Sequence, residues 1–319
     1  MKRMLMIINP ISGTRDKRGL ALDIQHRLQQ SGIDVDIAFT ERAGHATQLA
    51  ARGIADGYDA ILACGGDGTV NEVATAMAGS RVPMGIIPAG SGNGLARHIE
   101  IPIDAIASLD IIKAGHIDDC DYGTVNGHPF FCTFGLGFDA AVSDRFAAAS
   151  SRGLLTYVRS ALVEFMRYKP RHYRFTVDGR TFERDAFIVA GANASQYGNN
   201  AYIAPQASIR DGLIDIIIVH NGNLLDKTLV GLDMISGTLA TNRKIEILRC
   251  RHAVIERTEP GPSHIDGEVA RLGLHIDVKC HPGQLRLYTR ADKPRFRPLI
   301  TPARSIITTL SQSVTNLFK

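Results

Sequence analysis

Residues Ala60–Glu72 read Ala-Ile-Leu-Ala-Cys-Gly-Gly-Asp-Gly-Thr-Val-Asn-Glu. The first five residues are apolar or small and predict a buried strand. A helical face follows the glycines, formed by Val70, Val73, Ala74 and Met77. Glycines in such a turn let backbone N–H groups approach a ligand, and the N-terminus of the following helix favours an anion. The stretch therefore predicts a strand, turn and helix unit that carries a phosphate site.

Asp67 lies inside that turn, where a bare phosphate would repel its carboxylate. A divalent cation or a hydroxyl donor between the two would remove the repulsion. A simple tight turn is the alternative interpretation, but Thr69, Asn71 and Glu72 crowd the same helix start, which favours a nucleotide site. The stretch is neither a Walker A loop, which needs Gly-Lys-Ser/Thr, nor a Rossmann fingerprint, whose third glycine is replaced by Asn71.

Gly65–Glu72 resembles the nucleotide-binding signature of the diacylglycerol kinase catalytic domain. That family includes bacterial lipid kinases, sphingosine kinases and ceramide kinases. NAD kinases share the shorter Gly-Gly-Asp-Gly core, so this motif alone leaves both open. The resemblance implies nucleotide contacts from Gly65, Gly66, Asp67, Gly68, Thr69, Asn71 and Glu72.

The composition is that of an ordinary globular chain, with 319 residues, 45% of them hydrophobic, and a formal net charge of +4. That charge gives no reason to expect nucleic acid as a partner, although it allows weak attraction to an anionic membrane. The five scattered cysteines form no C-x-x-C pair, so neither disulfides nor zinc are indicated. The apolar run Met4–Ile8 is too short for a signal peptide, and no run of 18 apolar residues occurs. The sequence therefore predicts a cytoplasmic protein.

Strand and helix patterns alternate over residues 4–113. This alternation predicts an α/β fold with a doubly wound, mainly parallel sheet that binds ligands at the carboxyl ends of its strands. Four segments are expected to meet at that edge, and Thr40 is counted as a nucleotide contact for this reason. The four are the Asn9–Gly13 loop, Thr40, the Gly65–Thr69 turn and the Gly90–Asn93 loop.

After Gly115 the pattern changes to short β-type segments with hairpin turns at Asn126-Gly127 and Asp178-Gly179. Two helical stretches, about Asp139–Tyr168 and Leu224–Leu239, interrupt them. We therefore predict two domains with a substrate cleft between them. Residues 1–120 would bind nucleotide, joined by the C-terminal segment 290–319, and residues 121–289 would form a β-rich, sandwich-like lipid-substrate domain.

Pro88–Arg97, Pro-Ala-Gly-Ser-Gly-Asn-Gly-Leu-Ala-Arg, resembles the second glycine loop of the same family. The resemblance implies nucleotide contacts from Gly90, Ser91 and Asn93, with Asn93 fixing the loop backbone; a plain turn is the alternative. Many bacterial diacylglycerol kinases have Gly-Thr-x-Asn-Asp here, whereas Gly-Ser-Gly-Asn-Gly is closer to the sphingosine and ceramide kinases. The departure leaves the identity of the lipid open.

Two further motifs extend the resemblance. Asn9-Pro10-Ile11-Ser12-Gly13 matches the family's opening loop, which implies nucleotide contacts from Asn9, Pro10, Ser12 and Gly13. The segment Asp211–Asp215 resembles the family's metal-associated turn, although Asp-Gly before a strand is also a common turn. Carried over, the Mg²⁺ ligands would be the Asp211 side chain and the carbonyl oxygens of Ser208 and Leu213.

His264-Ile265-Asp266-Gly267-Glu268 contains the Asp-Gly-Glu that the family carries as its catalytic acid pair. Phosphoryl transfer to an alcohol needs a carboxylate to accept the hydroxyl proton, and metal to spread the phosphate charge. The sequence does not separate Asp266 from Glu268 as the base. Asp67, in the nucleotide turn, is the third predicted catalytic residue.

The resemblance covers about residues 4–290 and implies an ATP- and Mg²⁺-dependent lipid kinase acting on diacylglycerol or a related lipid. The alternatives are an NAD kinase and a non-catalytic nucleotide or lipid sensor. We expect a membrane-resident lipid as partner, contact with the inner face of the membrane, and no nucleic acid; a homodimer is compatible with the sequence. A C-terminal helix would either dock on the first domain or lie in a membrane interface, through Ile306, Ile307, Leu310, Val314, Leu317 and Phe318.

Overall fold

The first four strands form a parallel sheet, in which three contain apolar runs that can be buried on both faces and the edge strand alternates apolar residues with Asp34 and Asp36. The structure, a computed structural model, describes residues 2–10, 17–138, 140–142, 168–198 and 200–292. In it the strands lie in the order β2-β1-β3-β4, and all residues of β3 and β4 are buried. Their bounds are β1 (Lys2–Ile8), β2 (Ile33–Phe39), β3 (Ala60–Gly65) and β4 (Met84–Pro88).

Helices cover both faces of this sheet, which confirms the predicted doubly wound arrangement. On one face, α1 (Lys17–Gln29) and α5 (Leu109–Ala114) pack against alternate residues of β1 and β3. On the other face, α2 (His45–Ala55), α3 (Asp67–Met77) and the short α4 (Gly94–His98) pack against the remaining residues of the same strands. The sheet's carboxyl edge therefore lies at Asn9, Thr40, Gly65 and Ala89.

The second half is β-rich, and α6 (Leu224–Ser236) packs beside its strands. Its core is built from inward-facing aromatic and β-branched side chains, including Phe134, Phe175 and Ile216. The strands are β5 (Ile117–Val125), β6 (His128–Phe130), β7 (Thr133–Gly137), β8 (Arg171–Val177), β9 (Arg180–Ala192), β10 (Ile214–His220), β11 (Ile245–Cys250), β12 (His252–Arg257), β13 (Ser263–Ile265), β14 (Glu268–Ala270) and β15 (His275–Tyr288).

The long strand β15 joins the two halves of the chain. It pairs antiparallel with β12 and with β5, and near its end Leu287 pairs in parallel with Met84 of β4. Leu287 also packs in the core that α2 and α3 form with the first sheet. The observed strand order is β14-β13-β7-β9-β8-β12-β15-β4-β3-β1-β2, with β5, β6, β10 and β11 attached beside it.

Both predicted hairpin turns are confirmed. Asn126-Gly127 joins β5 to β6 and Asp178-Gly179 joins β8 to β9, with positive φ at all four residues, as two-residue hairpin turns require. Helix α6 is also confirmed, but it ends at Ser236 because Gly237 adopts a left-handed conformation with φ of 73°.

Some predicted features lie outside the described residues. They are Ser12 and Gly13 of the opening loop, most of the helical stretch predicted at Asp139–Tyr168, and the C-terminal helix at 306–318. Within the described segments, no helix has the length and hydrophobicity to cross a membrane. All five cysteines are free thiols, as the sequence predicted.

Candidate active site

The first glycine turn and the second glycine loop touch through their backbones. Gly66 caps α3, and a Cβ added to Gly90 would lie only 2.4 Å from the Gly66 Cα. Any side chain at Gly90 would therefore push the two loops apart. The two glycines allow the ends of β3 and β4 to present their main chains to one ligand.

Asp67, the first residue of α3, uses its carboxylate to hold the second loop against the first. Its Oδ2 accepts the N–H of Asn93 at 2.8 Å, and its Oδ1 accepts the N–H of Gly94 at 2.6 Å. The sequence led us to expect a cation or a hydroxyl donor beside this charge, and the structure provides two backbone N–H groups. Asp67 is thus a loop-positioning residue in this structure, and its catalytic role stays a prediction.

Asn93 fixes the second loop, as the sequence predicted. It is buried and adopts a left-handed conformation with φ of 53°. Its amide donates to the carbonyl oxygen of Gly90 at 2.8 Å and accepts the N–H of Gly90 at 3.2 Å. Ser91, at the exposed tip of the loop, remains accessible to a ligand.

Asp266 is partly buried, and its carboxylate is held by four hydrogen bonds. Asp266 and Gly267 form the turn of the β13–β14 hairpin, with φ of 47° and 85°. Desolvation raises the pKa of Asp266, and four hydrogen bonds oppose that shift. An ionised carboxylate has about four acceptor sites, so these bonds leave little capacity for a substrate proton. The donors, at 2.7–2.9 Å, are the side-chain amide of Asn71 and the N–H groups of Phe131, Cys132 and Thr133.

Glu268, two residues later, has no such partners. Its side chain is exposed, and it makes no hydrogen bond or ion pair in the described part of the chain. Its Oε1 lies 3.3 Å from the position that a Cβ on Gly68 would occupy. The carboxylate of Glu268 therefore reaches across from the second half of the chain to the first glycine turn. The two acids therefore differ: the carboxylate of Asp266 accepts four hydrogen bonds, whereas the carboxylate of Glu268 accepts none from the described residues.

A pocket of about 310 Å³ opens beside Glu268. The first turns of α3 line one wall through Gly68, Asn71 and Thr75. The opposite wall is largely apolar and comes from the β5–β6 and β13–β14 hairpins, through His128, Pro129, Ile265, Val269 and Ala270. A smaller cavity of about 10 Å³, enough for about one water molecule, lies between Asp67 and Asp266.

Comparison with known proteins identifies the family of the chain. Residues 3–125 match the diacylglycerol kinase catalytic domain, and residues 133–289 match the YegS C-terminal NAD kinase beta sandwich-like domain. The chain is 33% identical to a Mycobacterium tuberculosis diacylglycerol kinase over 231 residues, which are 69% of this chain and 74% of that protein. It is 27% identical to a Staphylococcus saprophyticus diacylglycerol kinase over 286 residues, 88% of this chain and 94% of the relative. The chain belongs to the diacylglycerol kinase family.

The fold agrees with that membership. A crystal structure of a diacylglycerol kinase from Bacillus anthracis superposes with a TM-score of 0.71. The superposition covers 91% of this chain and 97% of that one at 21% sequence identity. At that identity the likeness shows the shared fold.

Three of the predicted nucleotide contacts have structural partners in this family member. Glu72 caps the N-terminus of α2, where its carboxylate oxygens accept the N–H groups of Gly44 at 2.8 Å and Ala46 at 2.9 Å. Thr69 is buried against Gly65, and Thr40 is buried at the end of β2 with its N–H bonded to the carbonyl of Ile8. Their predicted contact with nucleotide remains untested.

The opening loop is described only as far as Pro10. Asn9 lies at the end of β1, and its N–H donates to the carbonyl of Cys64 in the neighbouring strand. Pro10 is exposed. Asn9 and Pro10 therefore lie at the same sheet edge as the two glycine loops, as predicted, whereas Ser12 and Gly13 lie outside the described residues.

The predicted Mg²⁺ turn contains oxygen donors that suit a hard cation. The Leu213 N–H donates to the Asp211 carboxylate at 3.1 Å, and the Ser208 hydroxyl accepts the N–H of Arg210. Partial desolvation raises the pKa of Asp211, and the nearby charge of Asp121 adds to the shift, as expected where a cation would relieve two crowded carboxylates. Among the described residues no three histidine, cysteine, aspartate or glutamate side chains form a metal cluster, so this set of one carboxylate and two carbonyls stays a prediction.

Sequence reasoning missed Asp121 and Lys17. Asp121 is buried and ties two segments together by accepting the N–H groups of Gly212 at 2.7 Å and Gly283 at 2.8 Å. No local pattern distinguishes it from the neighbouring Asp118 and Asp119, which form ion pairs with Arg210 and Arg286. Lys17 is buried at the first position of α1. The sequence feature that could have identified it is a lysine at the start of a predicted helix, where an acid is usually preferred.

Proposed function

We propose that this protein transfers the γ-phosphate of ATP to the hydroxyl group of diacylglycerol or a related membrane lipid. One observation carries the proposal: the uncommitted Glu268 carboxylate faces the Gly65–Gly68 turn, while Asp266 is saturated by four donors. Family membership supports the reaction class, and this geometry supports the assignment of the base to Glu268 rather than Asp266.

The proposed chemistry follows from the positions of these groups. The backbone of the two glycine loops and the N-terminus of α3 would hold the phosphates. Glu268 would accept the proton of the lipid hydroxyl as that oxygen attacks the γ-phosphorus, and ADP would leave. Asp266 and Asn71 hold the hairpin at α3, so the base is positioned relative to the turn that binds the phosphates.

A Mg²⁺ ion bound with the nucleotide would spread the charge that develops on the transferred phosphoryl group. Asp211, with the carbonyl oxygens of Ser208 and Leu213, is the set we propose as ligands for a Mg²⁺ ion. The chain's own residues perform the remaining tasks, which are orientation of the loops and removal of the hydroxyl proton.

The pocket beside Glu268 supports an apolar acceptor. Pro129, Ile265, Val269 and Ala270 contribute most of one wall, and its volume of about 310 Å³ is sufficient for the head of a lipid rather than a whole lipid. We propose that the acyl chains remain in the membrane while the hydroxyl enters, which requires peripheral contact with the inner face of the membrane.

The test is transfer from γ-labelled ATP, with Mg²⁺, to a panel of diacylglycerol, sphingosine, ceramide and NAD. We expect a labelled lipid product in mixed micelles or vesicles and no labelled NADP. Labelling of NAD alone would establish the NAD kinase alternative and overturn the proposal. Nucleotide binding without transfer to any acceptor would instead identify a non-catalytic sensor.

A further inference from the structure

Lys17 is a buried cation beneath the two glycine loops. Its side chain is 5% exposed, and its Nζ donates to the carbonyl oxygen of Ala89 at 3.0 Å. Ala89 directly follows β4, and its own N–H donates to the carbonyl of Gly65 at 2.8 Å. The ammonium group therefore lies where the strands that carry both glycine loops end.

The described residues use only part of the hydrogen-bonding capacity of this ammonium group. Lys17 forms no ion pair within the described residues, and its one hydrogen bond uses one of three N–H donors. The charge of Lys17 acts on the buried Cys64 thiol, whose pKa burial raises to about 12 despite that charge. Cys64 is therefore an uncharged thiol at neutral pH and offers no counter-charge.

The position of Lys17 at the start of a helix is also unfavourable for its positive charge. Lys17 is the first residue of the 13-residue helix α1, whose first turn contains no acid and continues with Arg18. A cation at a helix N-terminus is unfavourable because the exposed N–H groups already give that end a partial positive charge. Burial of a cation without a paired carboxylate is also unfavourable. Both effects are relieved when an anion binds at this sheet edge.

We propose that the Lys17 ammonium binds a phosphate group of the nucleoside triphosphate. The inference rests on the proposed function for the identity of the anion, a nucleotide polyphosphate, but not on the identity of the lipid. Lys17 adds a side-chain charge to a phosphate site that otherwise consists of glycine-loop backbone.

A structural role is the competing explanation, because the same ammonium ties the carbonyl of Ala89. The two roles predict opposite effects of Lys17→Met, which keeps a long unbranched side chain and removes the charge. If Lys17 only stabilises the second glycine loop, Lys17→Met without ligand melts at a lower temperature than the wild type. If Lys17 is a counter-charge for phosphate, Lys17→Met without ligand is at least as stable as the wild type, and only its affinity for polyphosphate falls.

The experiment compares the wild-type protein, Lys17→Met and Lys17→Arg by isothermal titration with ATP, inorganic tripolyphosphate and adenosine, together with melting temperatures without ligand. Lys113→Met is the matched control, because Lys113 is a more exposed lysine of the same half that pairs with Asp110. We expect Lys17→Met to weaken ATP and tripolyphosphate binding by about 10- to 100-fold, the loss typical of a charged hydrogen bond. Lys17→Arg should retain part of the affinity, and Lys113→Met should match the wild type.

Unchanged ATP and tripolyphosphate affinity in Lys17→Met would overturn the inference. The inference would also be overturned if Lys17→Met melted at a lower temperature and lost as much affinity for adenosine as for ATP, because the lysine would then be structural. Absence of ATP and tripolyphosphate binding by the wild type would do the same. A wild-type protein that binds ATP but phosphorylates no lipid would reject the proposed function and leave the Lys17 result standing.

Discussion

At the scale of single residues, the acid pair shows how neighbours in sequence can have different chemistry. Asp266 turns inward at the hairpin and accepts four hydrogen bonds, whereas Glu268 stands open beside Gly68. The difference arises from the hairpin, in which Asp266 belongs to the turn and Glu268 begins the returning strand.

Glu268→Gln and Asp266→Asn should therefore have different effects. Glu268→Gln is expected to lower kcat by about a hundred- to ten-thousandfold, the usual effect of losing a general base, with an unchanged melting temperature. Asp266→Asn places an N–H donor among four donors, so it should destabilise the fold by about 1–3 kcal/mol. Lipid-kinase assays at saturating ATP measure kcat, and thermal melts measure the change in stability. Full activity of Glu268→Gln would show that Glu268 is not the base.

His98 is a second residue whose environment predicts a measurable effect. It ends α4, and its Nδ1 accepts the N–H of Ser195 from the second half of the chain at 3.1 Å. Burial, with a smaller contribution from the charge of Arg210, lowers the pKa of His98 to about 4. The unfolded chain, with a histidine pKa near 6.5, therefore binds this proton before the folded protein does.

The stability that His98 contributes is fully present above about pH 6.5 and is lost as the pH falls toward 4, by about 3 kcal/mol in total. Urea unfolding at pH 7 and pH 4.5 should show a steeper loss for the wild type than for His98→Gln. His26→Gln, at an exposed position of α1, should retain the wild-type slope. Parallel slopes for wild type and His98→Gln would show that His98 is not held neutral by the fold.

At the scale of elements, the site depends on how tightly the two glycine loops pack. Asp67 joins them through two backbone hydrogen bonds, and Gly66 and Gly90 are in backbone contact. Glu72 makes a similar connection from α3 to the N-terminus of α2. The acids of the signature thus hold elements together, and substitution of Asp67 is expected to loosen the second loop as well as reduce turnover.

Gly90→Ala tests this packing directly. The added Cβ would lie 2.4 Å from the Gly66 Cα, so the loops must separate, at a cost of about 1–3 kcal/mol. We expect a lower melting temperature and weaker ATP binding. Gly231→Ala is the matched control, because a Cβ there meets nothing within 4 Å on the exposed helix α6 and should stabilise it by about 0.5–1 kcal/mol. Equal ATP affinity in Gly90→Ala and wild type would contradict the proposed loop geometry.

At the scale of the whole molecule, the two family domains share a core. Strand β15 belongs to the second half by sequence, yet Leu285 and Leu287 pack with Ile7 and Ile61 of the first sheet. Its partner β5 is the last strand of the first family match and pairs with β15 along much of its length. We therefore expect the two halves to unfold together.

Residues 1–120 expressed alone should be inactive and poorly folded. The fragment lacks Glu268, and it also loses β15, which removes the pairing of Leu287 with Met84 of β4 and uncovers the first core. Circular dichroism and the labelled-ATP assay measure the two effects, with the full chain as control. Lipid phosphorylation by the fragment would show that the second half is not needed for catalysis, and two separate transitions in the full chain would show independent domains.

The sequence by itself determined the parallel first sheet, the glycine turn between β3 and α3, both hairpin turns and the positions of the candidate acids. Each of these is a local pattern: a buried apolar run, glycine at a conformation that other residues avoid, or an Asn-Gly or Asp-Gly pair. The motif resemblance added the family, which the comparisons confirmed. None of these inferences requires knowledge of which distant residues meet.

The tertiary structure alone decided what each acid does. Asp67, Glu72 and Asp266 are bonded to backbone N–H groups that are 26 to 135 residues away in the chain, and only the folded chain brings those groups to them. Backbone donors are present at nearly every residue, so the sequence gives no sign of which ones a carboxylate will meet. The open carboxylate of Glu268 and the buried ammonium of Lys17 became visible for the same reason, because partners are fixed by packing rather than by residue type.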